Sequence, residues 1–373
     1  MPDTTTVQRW GEAPWTIDFR PEPAPLPQSL DFAVIGGGFT GLSAAANLRR
    51  MNPEKSVAVF EAETIGARSS GHTGGLTLAE TAAGDLPDLG DVLFGFSKVL
   101  KDLGVTCDLS LPGVWELDRS SKTENSPIRW IDSGDLRVAR EVPGGTADPG
   151  KLVGGLARAA VGLGASILEG APVDQIDFGD PLNLHVRGKH VQAQRVLIAT
   201  NAESLELSGL AGKAEPKLTL ALATEPLSDA QLASLGLATG KPFYTVDLPY
   251  LWGRPLHRNQ VMFGSGLVAV NDWRDLTSQD VRSGEPAKLL TRLEKRVTTL
   301  HPALANVRFS HHWGGPILIA EEWRPVFAHH PRSSRAIVLG AYSGHGVALS
   351  VYLGAWAAEA LVGKRDLPAW NRP

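Results

Sequence analysis

DFAVIGGGFTGLSAAANLRRMNPEKSVAVFEAE, running from Asp31 to Glu63, sets the plan of this 373-residue chain. Phe32 to Ile35 is a short apolar run of the strand type, Gly36 to Gly41 a glycine-rich turn, Leu42 to Arg50 an Ala- and Leu-rich helix, and Val57 to Phe60 a second strand. Together they make a β-α-β unit. Gly36, Gly38 and Gly41 form G-x-G-x-x-G, whose glycines permit a tight turn, close backbone approach to a pyrophosphate and close helix packing. The helix that opens near Gly41 then aims its free N–H groups and positive dipole end at the phosphates. Glu61 closes the second strand about 20 residues after Gly41, where a carboxylate reaches the ribose hydroxyls of an adenine dinucleotide. The glycine turn alone is a weak signal, but strand, turn, helix and acid in this order predict a dinucleotide site.

Upstream, Pro21, Pro23, Pro25 and Pro27 alternate and enforce an extended arm. Downstream, DPGKLVGGLARAAVGL, from Asp148 to Leu163, predicts a helix with an Asp-Pro opening. Ser166 to Glu169 and Val191 to Thr200 predict strands, the second apolar enough to be covered on both faces. Ala336 to Leu339 predicts another buried strand, leading through a Gly turn into a long helix that runs toward Gly363. Between these pieces Cys107 to Asp118, Lys217 to Glu225, Pro242 to Trp252 and Gln260 to Val270 alternate polar and apolar residues, as antiparallel strands with one open face do. The expected organisation is an α/β chain with an arm at 1-30, a discontinuous Rossmann-like domain at 31-80, 145-204 and 325-373, and an inserted antiparallel-sheet substrate domain of α+β type at 81-144 and 205-324.

The charge balance, 36 Lys and Arg against 40 Asp and Glu, is spread without long runs and disfavours a nucleic-acid footprint. Cys107 is the single cysteine, so a disulfide within the chain and a Cys-built metal centre are both excluded. That, with a first twenty residues lacking a basic start and an apolar run, predicts a cytoplasmic protein. Gly346 to Gly363 is Ala-rich and carries Ser350 and Glu359, which suits a buried helix rather than a membrane span. The pairs His311–His312 and His329–His330 lack ligand spacing, so no metal site is expected.

Glu61 is followed by TIGARSSGHTGGL, Thr64 to Leu76, a second Gly- and Ser-rich turn that a nicotinamide domain does not need. With DPGKLVGGLARAA, the strand end IATNA and the terminal AYSGHGVALS, the chain resembles the D-amino-acid-oxidase-like superfamily of FAD enzymes. Within it the chain is similar to the bacterial gamma-glutamylputrescine oxidase-like proteins, which share a Pro-rich arm and a terminal G-Y-S-G-H-G-V turn. The resemblance implies a glutathione-reductase-type FAD domain, with the flavin between the two domains. It implies oxidation of a C–N bond in a primary or secondary amine or amino acid, by hydride loss to flavin N5, to an imine that hydrolyses. The cofactor-binding residues it implies are Gly36, Gly38, Phe39, Thr40, Gly41, Glu61, Ala62, Arg68, Ser69, Ser70, His72, Thr73, Gly74, Gly75, Leu76, Val173, Thr200, Asn201, Gly340, Ser343, Gly344, Gly346 and Val347.

His345, beside Gly344 at the opening of the last helix, is expected to face the flavin pyrimidine end where negative charge accumulates, or else simply to cap the turn. His72 lies where related enzymes tether flavin covalently, and the expectation here is FAD held without a bond. YTVDLPYLWGRPLHRNQVMFGSG, Tyr244 to Gly266, resembles the strand pair that floors the active site, making Tyr250, Trp252 and Arg254 the substrate-side candidates; Arg254 either grips a carboxylate or is solvated. Oxidase relatives carry a lysine on the strand QVMFGSG, where this chain has Met262, so oxygen and a redox partner both stay open as acceptor. Trp323, in AEEWRP, either covers the flavin or packs. The alternatives are an N-methyl or glycine-type dehydrogenase and an FAD-holding subunit without turnover.

Overall fold

The computed structural model describes residues 9–371; the first eight residues of the arm and of the leader reading lie outside the described residues, as do 372 and 373. The chain runs through β1 (Ser29–Ile35), α1 (Phe39–Met51), β2 (Val57–Phe60), the single turn α2 (Ser69–His72), β3 (Leu76–Leu78) and α3 (Val92–Leu103). It continues through β4 (Val114–Asp118), β5 (Arg129–Ile131), β6 (Asp135–Val142), β7 (Gly144–Thr146), α4 (Pro149–Gly162), β8 (Ser166–Leu168), β9 (Val173–Asp177), β10 (Leu182–Val186) and β11 (Lys189–Ile198). Then come β12 (Ala214–Thr224), β13 (Phe243–Thr245), β14 (Trp252–Pro255), β15 (Val261–Ala269), α5 (Gly284–Leu300), β16 (Phe309–Ala320), β17 (Val326–His330), β18 (Ser333–Gly340) and α6 (Gly346–Leu361).

Two large sheets result. The first has the order β17-β18-β11-β1-β2-β8, with the β9–β10 hairpin continuing from β11. β1 runs parallel to both β2 and β11, and β11 parallel to β18. Every residue of β2 is buried, as the apolar run Val57–Phe60 requires of a strand covered on both faces. α1 lies against α6 because small residues line both: a Cβ on Gly354 would press on the Thr40 carbonyl and Ser43. Both sequence segments are Ala-rich for that reason, and the first ten residues of α1 are buried.

The second sheet has the order β16-β12-β15-β14-β13-β4-β6-β5. One face carries Leu222, Phe243, Phe263 and Trp130, packed with Leu293 and Val297 of α5. On the other, register sets Trp252 opposite Gly264 and Arg254 opposite Met262, then Tyr244 opposite Trp252 and Glu116 opposite Tyr244. Two of the four expected alternating segments are strands almost throughout, Lys217 to Glu225 within β12 and Gln260 to Val270 as β15, whereas only Val114–Asp118 of Cys107 to Asp118 is strand and Pro242 to Trp252 is interrupted by the Val246–Leu251 loop. The amphipathic helices α3 and α5, and the β9–β10 hairpin, were not anticipated.

Candidate functional site

Four strand ends of the first sheet converge where the motifs lie. Gly36, with φ +109°, turns the chain after β1, and a Cβ on Gly41 would overlap the Gly36 carbonyl oxygen. α1 has no side-chain cap and no acidic residue in its first turn, so its positive end is left uncompensated by its own residues. From the facing loop the Ser70 hydroxyl accepts the Phe39 N–H at 3.0 Å, and a Cβ on Gly38 would stand 2.8 Å from that hydroxyl. Phe39 itself buries its ring in the core and Thr40 bonds the Tyr342 hydroxyl at 2.7 Å, so of these two residues it is the backbone that faces the turn.

Glu61 is buried at the end of β2 and accepts the Gly37 N–H at 2.7 Å and the Glu63 N–H at 2.9 Å. Burial raises its carboxyl above the usual range against the pull of those two donors. Val173 lies near this strand end, since Ala171, two residues before it, donates its N–H to the Glu61 carbonyl. Ala62 is exposed beside it.

At the end of β11 Asn201, with φ +50°, joins three segments: its amide donates to Ser69 Oγ at 3.2 Å and its carbonyl accepts the Ala341 N–H at 2.9 Å. Thr200 Oγ1 is buried without a hydrogen-bond partner, and a Cβ on Gly36 would touch the Thr200 backbone. Ala341, Ser343 and Gly344 all have positive φ after Gly340. Two left-handed non-glycine residues within four is the kind of backbone strain that functional turns retain. The turn is fixed by Ser343, whose hydroxyl accepts the Ala320 N–H at 3.3 Å, and delivers His345 as the N-terminal neighbour of α6. The His345 ring lies 3.5 Å from the Ser343 carbonyl and burial lowers its pKa, so it is neutral at pH 7; Gly346 packs on the Tyr342 ring and Val347 is buried.

The loop Gly66–Leu76 crosses from this cluster to the second sheet. His72 bonds the Arg68 carbonyl at 3.0 Å and meets Trp10 edge-on, with its pKa lowered to about 4 by burial. Arg68 pairs with Glu63 at 2.6 Å and Glu203 at 3.0 Å and lies over Trp10; its Nη1 is buried without a hydrogen bond. Burial pushes Glu203 up to about 7 in spite of that arginine. Gly74 meets the second sheet directly: a Cβ there would collide with the Trp252 ring and stand 3.0 Å from the Met262 methyl.

Arg254 is the clearest departure from expectation. It is neither solvated nor paired with an acid; it is 8 % exposed, donates from Nε to the Gly74 carbonyl at 2.7 Å, and burial lowers it to about 10. Trp252 joins it on the loop. Tyr250 does not, being 45 % exposed beyond the strand, and Trp323 is likewise an exposed side chain, on backbone with φ +63°. Thr73 and Leu76 are half-buried in the loop and Gly75 has φ +74°, set against the Ala147 carbonyl.

Residues the sequence reading passed over are Trp10, Trp15, Tyr342, Glu203 and the chain Tyr244–Glu116–Arg140, in which Tyr244 donates to Glu116 at 2.6 Å and Arg140 grips the same carboxylate. Two tryptophans five apart in WGEAPW were the available signal for the arm.

The fit to an adenine dinucleotide rests on this chain's own atoms: a helix end whose own residues supply neither a side-chain cap nor an acid, a glycine cradle that Cβ atoms would fill, and a buried Thr200 hydroxyl without a hydrogen-bond partner. Among the described residues no helix is long and apolar enough to cross a membrane, and no three His, Cys, Asp or Glu gather as metal ligands.

Residues 31–360 match the family described as FAD dependent oxidoreductase. The chain is 26% identical over 93% of its length to a probable oxidoreductase, OrdL, of Haemophilus influenzae, covering 86% of it. It is 26% identical to the gamma-glutamylputrescine oxidoreductase of Escherichia coli, over 91% of this chain and 85% of that one. Its fold superposes on glycine oxidase from Geobacillus kaustophilus with a TM-score of 0.72 at 18% identity, covering 91% of this chain and 96% of the other.

Proposed function

The chain belongs to the FAD dependent oxidoreductase family, and from that premise we propose that it oxidises a C–N bond in a primary or secondary amine or an amino acid, with the first sheet as its FAD domain and the second as its substrate domain. The Rossmann-like part is proposed to be of glutathione-reductase type, and the protein to work in the cytoplasm. The observation that carries the reading is the packing of Trp252 and Met262 on Gly74: an apolar, aromatic wall of the second sheet is set against the cofactor loop.

FAD supplies the hydride acceptor when bound. The α1 N-terminus and the Gly36–Gly41 turn would bind its pyrophosphate and Glu61 its ribose, and the Asn201–Ser343 brace holds the α6 N-terminus beside that turn, where it would meet the rest of the cofactor. Trp252 and Met262 exclude water beside it. Tyr244 and Glu116, the ionisable groups next along that face, bond each other, so the amine enters as the free base. The C–H electron pair leaves carbon as hydride, the resulting iminium sheds a proton to solvent, and water adds to the imine to give a carbonyl compound and the released amine or ammonia. A buried Met262 where a cation would speed reaction with oxygen favours an acceptor other than oxygen as the second reading.

The test is anaerobic bleaching of the flavin band across amines, N-methyl amino acids and D-amino acids. Bleaching by one class names the substrate. Photoreducible FAD that no amine bleaches would make the chain an FAD-holding subunit and sink the catalytic reading.

A further inference from the structure

Three side chains from three places donate to the backbone carbonyls of one short loop. Trp15 Nε1 bonds the Gly71 carbonyl at 2.8 Å, Trp313 Nε1 the His72 carbonyl at 3.0 Å, and Arg254 Nε the Gly74 carbonyl at 2.7 Å. They also touch one another: Trp15 and Trp313 meet edge-on at 5.6 Å, and the Arg254 guanidinium lies over the Trp15 ring at 5.8 Å. Trp313 and Arg254 belong to the second sheet, whereas Trp15 comes from the N-terminal arm.

The arm crosses between the two sheets. Trp10 donates to the Leu276 carbonyl at 3.0 Å, its own carbonyl accepts the Gly314 N–H at 2.7 Å, and Gly11 makes an antiparallel bridge with Trp313. Farther along, the Ile17 side chain fills the space that a Cβ on Gly66 would claim and lies in van der Waals reach of Gly71, and Thr16 lies against Gly150 at the start of α4. The arm therefore touches the second sheet at one end and α4 at the other, with both flanks of the Gly66–Gly75 loop beneath it. Ser69 and Ser70 of that loop are the residues bonded to Asn201 and to the α1 N-terminus.

We propose that residues 10–17 are part of the cofactor site: a strap whose Trp15, with Trp313 and Arg254, positions the Gly71–Gly74 backbone for FAD. Arg254 is then a positioning residue rather than a carboxylate ligand, and its Nε is committed to the loop. The inference rests on the FAD reading. Because the coupling is reciprocal, a strap that helps hold FAD is itself held more tightly when FAD is bound.

The test uses the full chain. Trp15→Phe keeps a ring against Trp313 and Arg254 and deletes the donor to Gly71. FAD release, followed by the rise of flavin fluorescence on dilution, should be about tenfold faster, while the melting temperature of the apoprotein changes little. Leu248→Ala, on an exposed loop, should leave release unchanged. In the wild-type apoprotein, adding FAD should slow hydrogen exchange in the peptide covering residues 10–20; this measurement decides the matter should Trp15→Phe fail to fold. Unchanged release together with exchange indifferent to FAD overturns the strap alone. A wild type that takes up no FAD overturns the cofactor reading and the strap with it.

Discussion

The strand ends of the first sheet and the inward face of the second are built by different means. At Gly36, Gly41 and the Ala341–Gly344 turn the backbone does the work, through positive φ at Gly36, Ala341, Ser343 and Gly344 and close approach of Gly41 to the Gly36 carbonyl. On the second sheet the work falls to side chains in register, Trp252, Arg254, Tyr244 and Glu116, with Glu116 brought to Tyr244 and the Gly74 carbonyl to Arg254 from far along the chain. A backbone requirement restricts residue type at a fixed spacing; a side-chain partnership does not.

The largest expected effect tests the first region. In Gly41→Ala the new Cβ meets the backbone oxygen of Gly36, which cannot move without opening the turn. Loss of FAD and destabilisation of about 3 kcal/mol are expected, read by flavin content and denaturant unfolding. Gly38→Ala meets only the rotatable Ser70 hydroxyl, so weakened FAD binding with normal stability is expected. Equal effects at the two glycines would break the claim that backbone, not side chain, defines this end.

The second region is tested by Gly264→Ala, whose Cβ would displace the Trp252 ring. FAD content should stay near that of the wild type while the rate of bleaching by amine falls about a hundredfold, through a misplaced wall beside the reacting atoms. If the flavin is lost as well, the two regions are not separable.

That contrast explains what could be read from the sequence. Gly36, Gly38, Gly41 and Glu61 stand out because turn, helix end and acid follow one another along the chain, the Asn201 segment as the strand end IATNA, and the Ser343 segment because its strand leads into a Gly-rich turn. Arg254 was legible as a residue of interest but not in its role, since its acceptor is the carbonyl of Gly74, far away in sequence, and no residue type signals a backbone acceptor. Tyr250 is a candidate through the resemblance of Tyr244 to Gly266 to an active-site strand pair, but it precedes the strand that carries Trp252 and Arg254, and the chain leaves it exposed there. Trp15 and Trp10 read as arm residues because burial of an irregular segment leaves no periodic pattern.

His72 joins the regions and yields a pH dependence. Its folded pKa is about 4 against an ordinary 6.5, so the unfolded chain takes up a proton first as pH falls. The stability it contributes is complete above pH 6.5 and is lost between there and pH 4, on the order of 3 kcal/mol. Glu203, raised to about 7, acts in the opposite sense, gaining stability as pH falls from 7 toward 4.5. The wild-type profile therefore mixes the two, and the difference between wild type and His72→Phe isolates the histidine: the variant should lose less stability between pH 6.5 and 4. Parallel profiles would show that His72 is not held neutral. In the same preparations FAD should come free on acid precipitation, since the His72 ring is engaged with Arg68 and Trp10; flavin that stays with the denatured wild type but not with the variant would reverse this.

The smallest effect concerns His345, where the two regions should be hardest to tell apart. The ring sits at the N-terminus of α6, its one hydrogen bond among the described residues being a long contact to the Ser343 carbonyl, and burial lowers its pKa, which favours the neutral ring. A neutral imidazole still offers one N–H donor to negative charge arriving beside a helix end that already favours it. Its loss in His345→Ala should slow flavin reduction by amine or reoxidation by about tenfold, the equivalent of roughly 1.4 kcal/mol and the size of a single charge-assisted contact. Stopped-flow traces of both half-reactions read this directly. With Met262 in place of a cation on β15, reoxidation in air should be slow in the wild type already. Rapid reoxidation in both proteins would show that neither Met262 nor His345 governs the acceptor, and would move the search for a cation to Arg254, held by the loop at Gly74.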